Sequence, residues 1–424
     1  MLGRIRQELT EGRTFLQFGF LSALGQGLGM ITPLIIARFF SPELLGKYYL
    51  TKTAVFFFTT LLLFYMQTPF VVFAGQEREK SGKLNKSFTV QCVFYCFSIA
   101  VFSLAVLFGG RAVTEFAQIS PAELFIVIGA FLGIAVKTVI CDLFLAMGER
   151  MKNALAELVF GVAVFICIVT LCLTGTVNLR NVFLVYFISG LLVAVLFVRS
   201  INFGLLTPMA FDRQQLRETL AYAKWIFIGT VASYFIAWGN DNIVLRFNTS
   251  TSNIGTYNLG CDIYRGLIVL IFIIYLYFLP FVSQHITDTA KIREFLGRKR
   301  PRIFLLGLAV AIVLFILAPY AFRIAYQGEY DGSSAVLRIL LIAAVLALYN
   351  IFYDVIFNAL KKYRVTQTVN VLHVLLNLAL DIILVPAMGI KGAAAAAVIS
   401  YAVRVVIYET YFRTIIKPAL KLQT

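Results

Sequence analysis

Ile35–Leu50 reads IIARFFSPELLGKYYL, and Ile243–Leu259 reads IVLRFNTSTSNIGTYNL. Each closes an apolar run with Arg-Phe, crosses a short polar loop and opens the next run with G-x-Y-x-L. The offset is 208 residues before the loop and 209 after it, close to half of the 424-residue chain. Self-similarity at a fixed offset marks an internal duplication. A second echo follows in the same order. Ala146-Met147 with Glu149, Arg150 and Lys152 closes one run, and Ala359-Leu360 with Lys361, Lys362 and Arg364 closes another 213 residues later.

The runs between these landmarks are too apolar for a water-soluble core. Hydrophobic residues make up 60% of the chain and charged residues 14%, against roughly 45–50% and about 25% in soluble domains. Mean hydropathy is +0.87. This excludes a cytosolic enzyme, a nucleic-acid binder and a secreted domain. A membrane-crossing helix needs roughly 20 apolar residues, and twelve such spans are read near 14–39, 47–74, 85–109, 120–147, 153–174, 181–203, 220–246, 256–284, 302–323, 333–360, 366–386 and 391–414. The loops left over average about a dozen residues, too short for a catalytic domain, so no catalytic residues are expected. The apolar run from Thr14 exceeds the length of a signal-peptide core, so no cleavable signal is expected.

The net charge of +16 reports topology. The two ends and the even-numbered loops hold 25 of the 37 Lys and Arg residues, and the odd-numbered loops hold 7. By the positive-inside rule both termini are expected in the cytoplasm. Nucleic acid is not an expected partner. An even number of spans per half makes the halves parallel repeats about an axis along the membrane normal. The expected organisation is all-α and polytopic: a six-helix lobe over residues 1–204, a cytoplasmic linker over 205–218 containing Pro208 and Asp212, and a second six-helix lobe over 219–424.

Local motifs agree. Gly25 with Gly29, and Gly129 with Gly133, have the GxxxG spacing that lets helices approach closely. Gly46 and Gly255, in the two G-x-Y turns, are expected to supply the free backbone of a tight turn. Gly25-Gln-Gly27-Leu-Gly29 lies in an apolar span with no strand before it and reads as packing, and no GxxxxGK[ST] string occurs. The six cysteines fall in spans without a CxxC pair, and His285 and His373 lack metal-ligand spacing. No metal is expected.

ARFFSPELLGKYYL, the seventh-span ending WGNDNIVLRF, the restart GTYNL, and Ala359–Ala397 (ALKKYRVTQTVNVLHVLLNLALDIILVPAMGIKGAAAAA) together resemble the multidrug/oligosaccharidyl-lipid/polysaccharide (MOP) exporter superfamily, specifically its polysaccharide-transporter branch of Wzx-type O-antigen flippases. The resemblance covers essentially the whole chain. It implies two pseudo-symmetric six-helix lobes around a central cavity and alternating access. It also implies a cargo of undecaprenyl-diphosphate-linked oligosaccharide, carried to the outer leaflet of the bacterial inner membrane for O-antigen, capsule or exopolysaccharide. A polysaccharide polymerase and chain-length proteins would be partners, alongside membrane lipids. The alternative within the superfamily is a cation-coupled multidrug antiporter.

Ionisable residues inside the bilayer are costly and normally face a cavity or a partner. The basic ones are Lys52, Lys137, Arg265, Arg338 and Arg404. Lys52 and Arg265 follow the two G-x-Y motifs on the second and eighth spans, and two cations suit a diphosphate. Family cations lie on the first, second and eighth helices, and the first span here has no charge. Lys137 and Arg404 are the other candidate cavity cations. Asp241, Asp262 and Asp381 are the acids deep enough to carry a coupling ion, proton or sodium. Asp241 corresponds to the acid commonly found late in the seventh helix, and Asn240 and Asn242 flank it. Asp262 and Arg265, three residues apart, have the spacing of a structural pair. Asp142 and Glu157 are expected to be solvated beside a cytoplasmic loop.

Overall fold

The computed structural model describes residues 20, 21, 24, 25, 27–286 and 288–419. Among these there is no strand. The expected start of the first span at Thr14, and the charges Arg4, Arg6, Arg13 and Lys421, lie outside the described residues.

The first helix, α1, is described over Gly27–Ile36. Eleven further helices are long and apolar enough to cross a membrane: α2 (Pro42–Ser81), α3 (Asn85–Ala117), α4 (Pro121–Ala146), α5 (Arg150–Leu173), α6 (Leu179–Ser200), α7 (Arg213–Asn248), α8 (Thr251–Gln284), α9 (Thr289–Tyr326), α10 (Asp331–Ala359), α11 (Arg364–Met388) and α12 (Ile390–Ile416). The all-α polytopic reading therefore holds, one helix for each expected span. The ends differ. Lys291, Arg293, Arg298, Lys299 and Arg300, expected in a loop, lie on α9 itself. A helix of this length exceeds the ~30 Å hydrocarbon by several turns, so its basic end can continue as helix in the polar headgroup region.

Helix ends are written in the local sequence. Ser250 Oγ accepts the Asn253 amide at 3.3 Å to open α8, and Asn178 Oδ1 accepts the Asn181 amide at 2.8 Å to open α6. Glu77 performs the same task for α3 from a distance, accepting the amides of Lys86 at 2.9 Å and Ser87 at 2.7 Å. Asp212, just ahead of α7, accepts from Lys86 Nζ at 2.9 Å, and that bond holds its carboxyl below the usual carboxylate range.

The described chain forms two compact units. The first runs to Phe39 and resumes over Leu50–Tyr234; the second comprises Phe40–Tyr49 and the chain from Phe235 onward. Two of the changeovers, Tyr49/Leu50 in α2 and Tyr234/Phe235 in α7, fall inside helices. In α7 the change comes at the π-helical turn Phe235–Gly239. Residues Arg213–Tyr234 of α7 pack on α2 and α3 in the first unit, and its last turns pack on α11 in the second.

Within the first unit, a Cβ on Gly133 would run into the Tyr186 carbonyl, and one on Gly190 into the Gly133 carbonyl. This brings α4 and α6 together. Gly25 meets the α5 backbone at Glu157, 3.1 Å from where its Cβ would stand. Gly29 meets nothing within 4 Å, and Gly129 only the Phe187 Cβ at 3.9 Å. One glycine of each GxxxG pair thus makes the close approach. Phe102 and Phe131 stack at 3.9 Å between centroids.

Within the second unit, Gly46 and Gly255 correct the turn reading. Both are helical, in the second turns of α2 and α8, and neither has positive φ. Their lack of a Cβ serves packing instead. A Cβ on Gly46 would land on the Thr251 carbonyl oxygen, and one on Gly255 on the Pro42 carbonyl oxygen. The contact is reciprocal, with the 209-residue offset of the repeat on both sides. Gly46→Ala and Gly255→Ala are each expected to cost about 1–3 kcal/mol of stability, the usual penalty for overpacking. Gly29→Ala, with open space and a better helix former, should cost nothing. Melting temperatures of the purified variants check both.

Candidate functional site

The second unit assembles a polar cluster from the stretches that the repeat marks. Arg265, on α8, donates from Nη1 to Asp262 Oδ1 at 2.7 Å, from Nη2 to Asn258 Oδ1 at 3.0 Å and from Nε to the Ala237 carbonyl at 3.1 Å. Its guanidinium lies 3.9 Å from the Trp238 ring centre, a cation–π contact. Asp262 also accepts from the Tyr49 hydroxyl at 2.5 Å. Asn258 is itself held, donating to Asn242 Oδ1 at 2.6 Å. Among the described residues, three of the five guanidinium N–H groups are committed and two remain. The Arg265 side chain keeps 13% of its surface exposed. It is oriented from several sides yet still reachable.

One turn further along α7, Asn240, Asp241 and Asn242 follow the π-helical turn. Tyr257 donates its hydroxyl to Asp241 Oδ2. Asn240 Nδ2 reaches the Val374 carbonyl at 3.1 Å and Asn377 Oδ1 at 3.2 Å on α11. The carboxyl groups of Asp241 on α7 and Asp381 on α11 act on each other electrostatically. Asp381 is fully buried, and among the described residues neither of its oxygens accepts from a donor. A carboxyl pair of this kind, beside the Asn377 amide, is a set of hard oxygen ligands for one proton or one small cation.

Two of the other expected cavity cations, Arg404 and Lys137, are paired. Arg404 Nη2 bonds Asp354 Oδ2 at 2.9 Å, and Tyr408 bonds the other oxygen of Asp354 at 2.7 Å. In the first unit, Lys137 Nζ bonds Glu157 Oε1 at 2.7 Å. Lys52 is buried, with Nζ 6.0 Å from the Phe56 ring centre. It belongs to the first unit and Arg265 to the second. Asp142 corrects the solvated reading: it is fully buried and accepts from the Tyr95 hydroxyl at 2.9 Å. The structure therefore brings together Asp262 with Arg265, and Asp241 with Asp381.

Sequence reasoning missed Tyr49, Trp238, Tyr257, Asn258 and Asn377. Three of them, Tyr49, Tyr257 and Asn258, lie in the very motifs that mark the repeat, and Tyr49 and Asn258 are repeat counterparts at the 209-residue offset. That correspondence was the available signal. Asn377, one helical turn before Asp381, carried a weaker one.

No family model matches the chain. The chain is 24% identical over 202 residues to the probable low-salt glycan biosynthesis flippase Agl15 of Haloferax volcanii, covering 47% of this chain and 43% of that protein. It is 24% identical over 258 residues to the probable flippase AglR of the same organism, covering 58% and 52%. The match thus spans about half the length of these curated relatives. Among solved structures, the lipid II flippase MurJ superposes with a TM-score of 0.77 at 16% identity, covering 94% of this chain and 88% of that one. An inward-facing multidrug resistance MATE family transporter of the MOP superfamily superposes with a TM-score of 0.71 at 14% identity, covering 95% and 96%. These likenesses show the fold, that of an all-helical multi-pass membrane protein of the MurJ and MATE type.

Proposed function

We propose that this protein is a flippase of the Wzx-type branch. Its cargo would be an oligosaccharide linked to undecaprenyl diphosphate, moved from the cytoplasmic to the outer leaflet by alternating access. The observation that carries this reading is Arg265: a guanidinium oriented by Asp262, Asn258, Ala237 and Trp238, with two N–H groups uncommitted among the described residues. Arg presents a planar fork that matches phosphate oxygens, whereas Lys acts as a point charge. Lys52, in the first unit, is proposed as a further cargo-binding cation. The proposed setting is the bacterial inner membrane and the synthesis of a surface polysaccharide, with a polymerase and chain-length proteins acting on the product. The name of Agl15 supports glycan flipping and that of AglR supports flipping.

The second reading is a cation-coupled multidrug antiporter, and the Asp241–Asp381 pair is the feature that favours it. Proteoliposomes separate the two. A fluorescent prenyl-diphosphate sugar should cross between leaflets, as followed by quenching from outside, and a lipophilic dye cation should not accumulate. Dye transport without movement of the prenyl diphosphate would reject the flippase.

The proposed orientation places both termini and the Gly297–Arg302 segment in the cytoplasm and the Thr249–Gly255 segment outside. Single cysteines in place of Lys299 and Ser252, probed with an impermeant thiol reagent in intact cells, test it. Ser252→Cys should label above the wild-type background and Lys299→Cys should not. The reverse pattern would invert the topology.

A further inference from the structure

Among the described residues, the intramembrane cation Arg338 takes part in no ion pair and stands outside the cluster above. It lies on α10, seven residues from Asp331, or ~10 Å along the helix. Among the described residues no carboxylate comes within ion-pairing distance of it. Its Nε is buried and makes no hydrogen bond. The terminal nitrogens also make none among the described residues, and they are not among the buried atoms. The guanidinium rests 4.0 Å from the centre of the Phe315 ring on α9.

The surroundings are of one kind. On α10, Arg338 is half-buried and Ile342, one turn on, is 50% exposed, while Val336, Leu337, Leu340 and Leu341 on the other face are buried. On α9, Ile312, Phe315 and Ile316 are all exposed. An apolar, exposed surface on spanning helices is the one that lipid tails wet. A guanidinium without a counter-ion is costly there, and it is retained where something anionic completes it. Its open terminal nitrogens form a fork suited to phosphate.

We propose that Arg338 and Phe315 form a binding site for the phosphate of a membrane phospholipid, with the acyl chains lying along Ile312, Ile316 and Ile342. The aromatic ring supports the cation from one side, and the phosphate takes the two terminal nitrogens. The site belongs to the second unit alone and does not depend on the transport reading.

Native mass spectrometry of the full chain in detergent, titrated with dioleoylphosphatidylglycerol, tests the site. Wild type should hold one more phospholipid than Arg338→Met, with an apparent affinity for that lipid about tenfold tighter, as hydrogen bonds to a charged group provide. Phe315→Leu keeps the apolar groove and should weaken the same step two- to fivefold, the effect of a lost cation–π contact. Dioleoylglycerol, which lacks phosphate, should bind wild type and Arg338→Met alike. Equal phosphatidylglycerol retention by wild type and Arg338→Met would overturn the site. Displacement of that lipid by equimolar farnesyl diphosphate would assign the phosphate to a prenyl carrier and overturn the phospholipid source. A lower melting temperature of Arg338→Met in lipid-free detergent would make Arg338 a packing strut and reject the proposal.

Discussion

Arg265→Ala is expected to slow transbilayer movement of a prenyl-diphosphate sugar by about 10- to 150-fold, the range that follows from ~1.5–3 kcal/mol for hydrogen bonds to a charged group. Two roles for Arg265 make opposite forecasts. As a strut, it exists to neutralise Asp262, which would otherwise be a buried charge with only the Tyr49 hydroxyl as donor. Breaking a buried pair on one side typically costs 3–5 kcal/mol, while removing both partners is often nearly neutral. Asp262→Ala with Arg265→Ala should then recover both stability and transport. As a ligand for the cargo diphosphate, Arg265 is needed for itself. The double variant should melt near wild type in proteoliposome-ready detergent yet transport no better than Arg265→Ala. Arg265→Lys should fall between, because a lysine keeps the charge but cannot reach Asp262, Asn258 and the Ala237 carbonyl together. Recovery of transport in the double variant would reject the ligand role.

Most of the fold was legible because hydropathy and charge are summed over many residues. Each expected span has its helix, and errors are confined to ends such as Thr289–Arg300, where a basic segment continues as helix outside the apolar zone. The repeat was legible too, but its glycines were misread. Gly46 and Gly255 sit next to polar loops, which suggests a turn, and their actual partners lie some 200 residues away. The same limit governs the polar cluster. Asp262 and Arg265 share one helix three residues apart, so their pairing could be read from spacing. Lys137 with Glu157, Arg404 with Asp354 and Asp241 with Asp381 join different helices. Spacing along one helix carries no information on which faces of two helices meet. The cost of an isolated charge in lipid says that a partner exists without saying which.

A second large effect is expected at Asp241 and Asp381, proposed here as the coupling-ion site. Two facing carboxyls repel when both are charged, and among the described residues Asp381 has no hydrogen-bond donor to relieve it. Something positive must therefore enter for the pair to be stable, and Asn377 and Tyr257 hold oxygen atoms beside it. This is a device for making one conformation depend on an ion, since a ligand shifts an equilibrium only by its differential affinity for the two states. Asp381→Asn removes one charge and leaves the shape. It is expected to melt as high as wild type or higher when ions are scarce, and to lose any gain in melting temperature that wild type shows on adding sodium at fixed pH or on acidification at fixed sodium. Ion-driven transport should fall at least tenfold in Asp381→Asn and in Asp241→Asn. The two titrations also name the ion, because sodium and protons are varied separately. Loss of transport in Asp381→Asn with the wild-type thermal response to both ions intact would place the coupling elsewhere. Full transport in both variants would remove the pair from the mechanism altogether.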